Sequence, residues 1–335
     1  MVSGQLNTSF KKNKKLIYFV TTLSLIYFFS TPNIFFPDNW WSKAFFSLEA
    51  NPFQFNEMSN RILFPLISYV IKNYIFFDLI TIKVSHLLIN HIIMILLIII
   101  NINYFNKNIK LSNSILIIFF LNSYILLPIR FPLYNDLLTI FMMNMAVINI
   151  KNYKSYIFLI LAFLSHEIAI FAAPFIYLIK RKEGVDDNVI FLSLTIIFMV
   201  SFYILHKNIY SGYNEQYDEL IRITYSFDTI LNHIINNIEY SFSGIFFSFK
   251  IIWVILILNL IKSKKILEPI NLYFIVIFIL TYFYSTDHTR HAYLLLYVFV
   301  LYNFLLFIKN DENNHLLLPF AICQLVIPNH AYFAE

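Results

Sequence analysis

Uninterrupted apolar runs recur from one end of the chain to the other, and lysines punctuate them. Runs of roughly 15 to 24 residues lie at 16–32, 79–102, 113–129, 137–150, 156–179, 189–206, 245–262, 269–285, 292–308 and 315–330. A lipid environment demands that such a backbone satisfy its own N–H and C=O groups, which leaves helices or closed barrels. The runs are continuous, not alternating segments of about ten residues, so helices are expected. Charged residues make up 13% of the 335 positions, whereas a soluble domain carries about 25%. Too few charges are present to coat a water-facing surface of this length. The expected fold class is therefore all-α: a polytopic transmembrane helical bundle of about 10–11 spans. It forms a single integral membrane domain over 1–335 with no soluble domain. Only four glycines occur, which argues against tight small-xxx-small packing of many helix pairs.

Basic residues set the orientation. Most of the 24 Lys and Arg fall at 11–15, 107–110, 151–154, 180–182, 262–265 and 309. The positive-inside rule makes all of these cytoplasmic. The first run follows Lys11, Lys12, Lys14 and Lys15 and reads as an uncleaved signal anchor with a cytoplasmic N-terminus. Parity then requires two things. Segment 61–77, interrupted by Arg61 and Lys72, must not cross. Segment 156–179 must go up and back as two short helices turning near Ser165, His166 and Glu167, because a His-Glu pair in mid-bilayer on one continuous helix is costly. The competing reading has one continuous helix there and a true span at 61–77. With the broken helix, the outer face receives the long loops 33–78 and 207–244, which are expected to carry juxtamembrane helices. It also receives the connectors 130–136 and 286–291.

Four polar clusters share that expected face. The first holds Asp38 beside Trp40 and Trp41, then Glu49, Glu57 and Arg61. A carboxylate here suits a general base acting on a hydroxyl, and the tryptophans suit either a sugar ring or the headgroup zone. The second is Arg130 to Asp136, where Asp136 either caps the next helix or faces a cavity with Asn135 and Arg130. The third is Ser165-His166-Glu167, whose ionisable pair inside an apolar run is a functional hypothesis by default. The fourth is Asp287-His288-Thr289-Arg290-His291, where Asp287 and Arg290 have the spacing of an ion pair and Arg290 suits a phosphate. Elsewhere, His86 and His91 read as buried structural histidines, and Lys250 as a snorkelling residue or a lipid-phosphate contact.

Several function classes are disfavoured. The net charge of +5 reflects topology-setting clusters and gives no nucleic-acid signal. The single cysteine, Cys323, excludes an internal disulfide and a cysteine metal cage. No cofactor is expected. A divalent cation is compatible with the residue types His166, Glu167, Asp287, His288 and His291, but no ligand spacing such as HExxH is present. P-loop, Rossmann and G-x-S-x-G fingerprints are likewise missing.

Taken in order, an acidic outer loop after span one, Arg61-Ile-Leu-Phe-Pro65, Asn135-Asp136, Ser165-His166-Glu167 and Asp287 to Arg290 form a familiar layout. It resembles bacterial multi-spanning proteins of cell-surface glycopolymer formation, which in turn look like the C-type membrane glycosyltransferases (GT-C). The resemblance covers most of the chain in layout but only these short motifs in sequence. It implies a GT-C-like bundle in the bacterial inner membrane that takes a sugar from a polyprenyl-phosphate donor on the extracytoplasmic side. It makes Asp38 the best base, with Glu49 and Glu57 behind it. Arg290 becomes the phosphate clamp, assisted by Arg61 or Arg130, and His166 and Glu167 shape a substrate pocket. Asn135, Asp136 and Asp287 belong to the same binding set. The first outer loop lacks the family's paired-acid motif.

The expected function is transfer or polymerisation of sugars during cell-surface glycan assembly. The partners are a lipid-linked sugar donor, a glycan or lipid acceptor, membrane lipid and other glycan-assembly proteins. Two alternatives stay open: a transporter or flippase of a lipid-linked intermediate, and a non-catalytic assembly subunit.

Overall fold

A computed structural model describes residues 2–30, 63–130, 136–185, 242–263, 268–284 and 288–327, with isolated positions at 43, 46–47, 50–51 and between 190 and 200. All elements among the described residues are helical. The chain opens with α1 (Val2–Ser30). A short α2 (Leu63–Val70) runs into a π turn at Ile71–Ile75. The long α3 (Ile82–Asn108) follows, started by the Thr81 side chain accepting from the Val84 N–H. Next come α4 (Asn113–Phe120) and α5 (Ser123–Arg130). Then α6 (Asp136–Ile148), α7 (Lys154–Ser165) and α8 (Ala172–Lys182) fold together. The last third holds α9 (Phe242–Phe249), α10 (Ile251–Ser263), α11 (Pro269–Tyr284), α12 (His288–Lys309) and α13 (Asn314–Val326).

The centre of the bundle is α12, whose window of greatest apolarity is 89% buried. Nearly every residue from Ala292 to Leu305 is buried. This helix is apolar on all sides, the pattern of a helix surrounded by others. Aromatic rings lock it to its neighbours: Phe274 stacks on Phe299 at 4.4 Å, and Tyr124 meets Tyr297 edge-on at 5.2 Å. Lipid-type residues point outward elsewhere, for example Val84, Ile92, Leu96 and Ile99 along α3.

Among the described residues two helices, α3 and α12, are long and apolar enough to cross a membrane, or up to four spans if each bent pair counts as one. The expected 10–11 crossings include runs such as 189–206 that lie largely outside the described residues. Polar residues cut two of the described apolar runs. The run 113–129 breaks at Leu121–Asn122 with a 55° bend, and the run 245–262 breaks at Lys250 with an 88° bend. Segment 63–75 is a short helix that packs on α3, with Ser68 Oγ 2.6 Å from Ser85 Oγ. It closes through the left-handed residues Phe77 and Asp78, where Lys72 pairs with Asp78.

The segment 154–182 reverses direction. Helix α7 stops at Ser165, His166 takes an extended conformation, and a 3-10 turn at Glu167–Phe171 leads into α8. The far end of α8 returns to where α7 began: Lys180 Nζ donates to the carbonyls of Ile150 and Asn152, both at 3.0 Å, and to Ser155 Oγ at 3.2 Å. A buried ammonium thus covers carbonyls that the turn at 149–153 leaves open, and it lies 4.7 Å from the Tyr156 ring. Gly184, with φ +78°, ends α8 in a Schellman motif, with Val185 N–H to Lys180 O and Gly184 N–H to Arg181 O.

The lysine clusters gather at one end of the bundle. Lys15 reaches Asn103 Oδ1 at 3.2 Å, Lys151 pairs with Glu183, and Lys182 pairs with Glu268 at 2.8 Å. Tyr302 also donates to Glu183. We call this end the lysine rim.

Candidate functional site

Three element ends converge at the other end of α12: the start of α6, the α7–α8 reversal and the start of α12 itself. Asp136 opens α6 and its carboxylate is fully buried. Arg290, in the first turn of α12, meets it with two parallel bonds, Nε to Oδ2 at 2.7 Å and Nη2 to Oδ1 at 2.8 Å. This fork-to-fork geometry fixes the guanidinium plane as well as its charge. Tyr293, one turn further along α12, donates its hydroxyl to Asp136 Oδ2 at 2.6 Å. Asp136 thus accepts three bonds, two from the guanidinium and one from the phenol, which offset the cost of burying its carboxylate.

His166 completes the arrangement. Its Nε2 lies 3.2 Å from Arg290 Nη2. A guanidinium can only donate, so Nε2 accepts. The proton of a neutral imidazole then sits on Nδ1, facing Glu167 Oε2 at 3.3 Å. The Ile168 N–H also approaches Nδ1 at 3.3 Å and would favour the opposite tautomer. The guanidinium decides, because a charged donor outweighs a peptide N–H. Adjacent residues on one helix point about 100° apart, so His166 and Glu167 face each other because α7 ends at Ser165. Below them, Thr139 donates to Ser165 Oγ at 3.0 Å, and Tyr297 donates to Asn144 Oδ1 at 3.2 Å.

Depth follows from the same helices. Arg290 marks the site and Tyr302 the lysine rim, twelve residues apart on α12, which is about 18 Å. The site and the lysine rim thus lie at separate levels of a helix that is long and apolar enough to cross a membrane. Among the described residues no group of three or more His, Cys, Asp or Glu stands where it could hold a metal ion.

The structure brings together Asp136, His166, Glu167 and Arg290 from three separate sequence clusters. Arg290 pairs with Asp136; the Asp287–Arg290 pair that spacing suggested involves a residue outside the described ones. Arg130 is exposed at the end of α5, and no bond joins it to Asp136. Asp38, Glu49, Glu57, Arg61, Asn135 and Asp287 lie outside the described residues, as do Trp40 and Trp41. Tyr293 was missed by sequence reasoning. The signal was its place three residues after Arg290 on the same helix.

Lys250 corrects another expectation. It does not snorkel: its side chain is buried and donates to Ile327 O at 3.1 Å and Leu121 O at 3.3 Å. His86 is buried against Phe64, with ring centroids 4.2 Å apart. His91 is half-buried and stacks on Tyr27. Comparison with protein-family models, with curated proteins and with solved structures finds no match.

Proposed function

We propose that this protein is a membrane glycosyltransferase-like enzyme acting on a polyprenyl-phosphate-linked sugar during cell-surface glycan assembly. The observation that carries this reading is the Asp136–Arg290 fork with His166 against it, set into an apolar bundle at the end away from the lysines. A lipid-linked donor is amphipathic. Its tail needs lipid, and its phosphate needs a fixed cation at a polar recess. An arginine locked by a buried carboxylate is a pre-oriented phosphate ligand, and stabilising a leaving phosphate is an electrostatic task that rewards such preorganisation. His166 and Glu167 form a proton-carrying pair in reach of the same recess. In this reading Asp38, with Glu49 and Glu57 as alternates, removes the proton of the acceptor hydroxyl. Arg61 and Arg130 assist with phosphate, and Asn135 and Asp287 border the pocket.

The test is genetic complementation with surface glycan as readout. Asp38→Asn and Arg290→Lys are expected to abolish glycan while membrane levels of the protein stay normal, because neither a base nor a bidentate fork survives these changes. Normal glycan in both variants would end the proposal.

One observation favours a second reading, transport of the lipid-linked intermediate. Two broken helices meet at the buried Lys250, and broken helices facing a polar interior are a transporter feature. Deletion that leaves sugar transfer intact but accumulates untranslocated carrier supports this reading over the first.

A further inference from the structure

The lysine rim contains a cavity of about 250 Å³ between α8, α10, α12 and the start of α11. It lies at the opposite end of α12 from Arg290 and shares no residue with that site. We propose that it seats the headgroup of an anionic glycerophospholipid whose headgroup carries hydroxyls, such as phosphatidylglycerol.

Charge comes first. Lys182 and Lys262 stand at the lip, both exposed. Lys182 is neutralised by Glu268 at 2.8 Å. Lys262 Nζ donates to the neutral Asn313 Oδ1 at 2.9 Å, with no carboxylate against it among the described residues. Two lysines and one carboxylate among the described lining residues leave a positive charge, which suits the negative charge of a phosphodiester.

The hydrogen-bonding groups of the wall add a second requirement. Asn259 gives its amide N–H to Asn303 O at 2.8 Å, and Asn303 gives its own to Phe299 O at 3.0 Å. Both residues line the cavity, and their Oδ1 atoms have no partner among the described residues. Side-chain amide oxygens accept, so they call for donors from the ligand. An ionised phosphodiester has none to offer, whereas headgroup hydroxyls do.

Size and surroundings complete the argument. The volume is below the roughly 300–1,000 Å³ of a drug-sized site, which suits a headgroup and not a whole lipid. Leu306 lines the opening and is 38% exposed on the outside of the bundle, so acyl chains would run along apolar helix surface. Basic recesses between helices at the lysine-bearing face are where anionic headgroups accumulate.

The test uses the full-length protein purified in neutral detergent, with lipid retention read by native mass spectrometry. Phosphatidylglycerol is expected to remain bound in preference to phosphatidylcholine and to phosphatidylmethanol, a phosphodiester of the same charge that lacks the hydroxyls. Lys262→Gln keeps a donor for Asn313 but removes the charge. It is expected to weaken retention about ten-fold, the worth of one charge-assisted bond, while Lys262→Arg retains it. Asn303→Leu is expected to erase the preference over phosphatidylmethanol. Equal retention of the three lipids, or unchanged retention in Lys262→Gln, would overturn the proposal. Glycerol 3-phosphate binding as tightly as the lipid would overturn the lipid as occupant. Arg290→Lys leaves this binding unchanged, which separates it from the sugar-transfer reading.

Discussion

At the scale of single residues, Asp136 and Arg290 decide what the far end of the bundle can do. A carboxylate buried this completely survives only with a partner, and removal of one member of a buried pair costs about 3–5 kcal/mol because the other is left uncompensated. Arg290→Met is therefore expected to lower thermal stability in detergent by about that amount. The double variant Asp136→Asn/Arg290→Met is expected to recover most of the loss, since no lone charge remains. Additive losses would mean that the two side chains do not depend on each other. Sequence reasoning found both residues but could not pair them: they are 154 positions apart, and Asp287 offered a local alternative three residues from Arg290. His166 and Glu167 were legible because ionisable groups inside an apolar run are expensive and so demand a reason. The tyrosine on Asp136 was not legible, because Tyr293 is one of 23 tyrosines and its place three residues after Arg290 gains meaning only once Arg290 is paired with Asp136.

Among elements, the informative features are the breaks. The reversal at His166 could be inferred from the polar triplet and from the need to keep the lysines at 151–154 and 180–182 on one side. Lys180 makes that need structural, since its ammonium ties the end of α8 to the carbonyls before α7. The breaks at Leu121–Asn122 and Lys250 escaped notice because hydropathy averages over a window and does not register one residue with φ +49°. Each break exposes carbonyls that lipid cannot satisfy, and neighbouring side chains cover them. Ser123 donates to Phe247 O at 2.6 Å, Trp253 Nε1 to Ile245 O at 2.8 Å, and Gln324 and Lys250 share Leu121 O. Lys250→Met keeps the length of the side chain but removes those donors. It is expected to cost about 1–3 kcal/mol, the penalty for buried acceptors left unpaired, in a detergent unfolding assay. A change of a few tenths would show that the two breaks do not support each other.

Over the whole molecule, two charged groups mark the ends of α12. The lysines of the rim, with Glu183 and Glu268 among them, lie at one end and the Asp136–Arg290–His166–Glu167 constellation at the other, while Lys72 and Lys250 stand apart from the rim. The apolar runs made an all-helical fold with helices apolar enough to span a membrane legible, and the lysine clusters made one of its ends legible, because both are repeated signals summed over many residues. Where each run bends or stops was less legible: α7 is only twelve residues long, because a polar triplet ends it inside a longer apolar run. Both functional proposals depend on the two ends facing different compartments. The direct measurement is labelling of single cysteines with a membrane-impermeant thiol reagent, in a Cys323→Ser background that removes the native thiol. Glu167→Cys is predicted to react from outside intact cells, while Lys151→Cys and Lys182→Cys react only after the membrane is opened. Labelling of Glu167→Cys and Lys182→Cys from the same compartment would contradict the account.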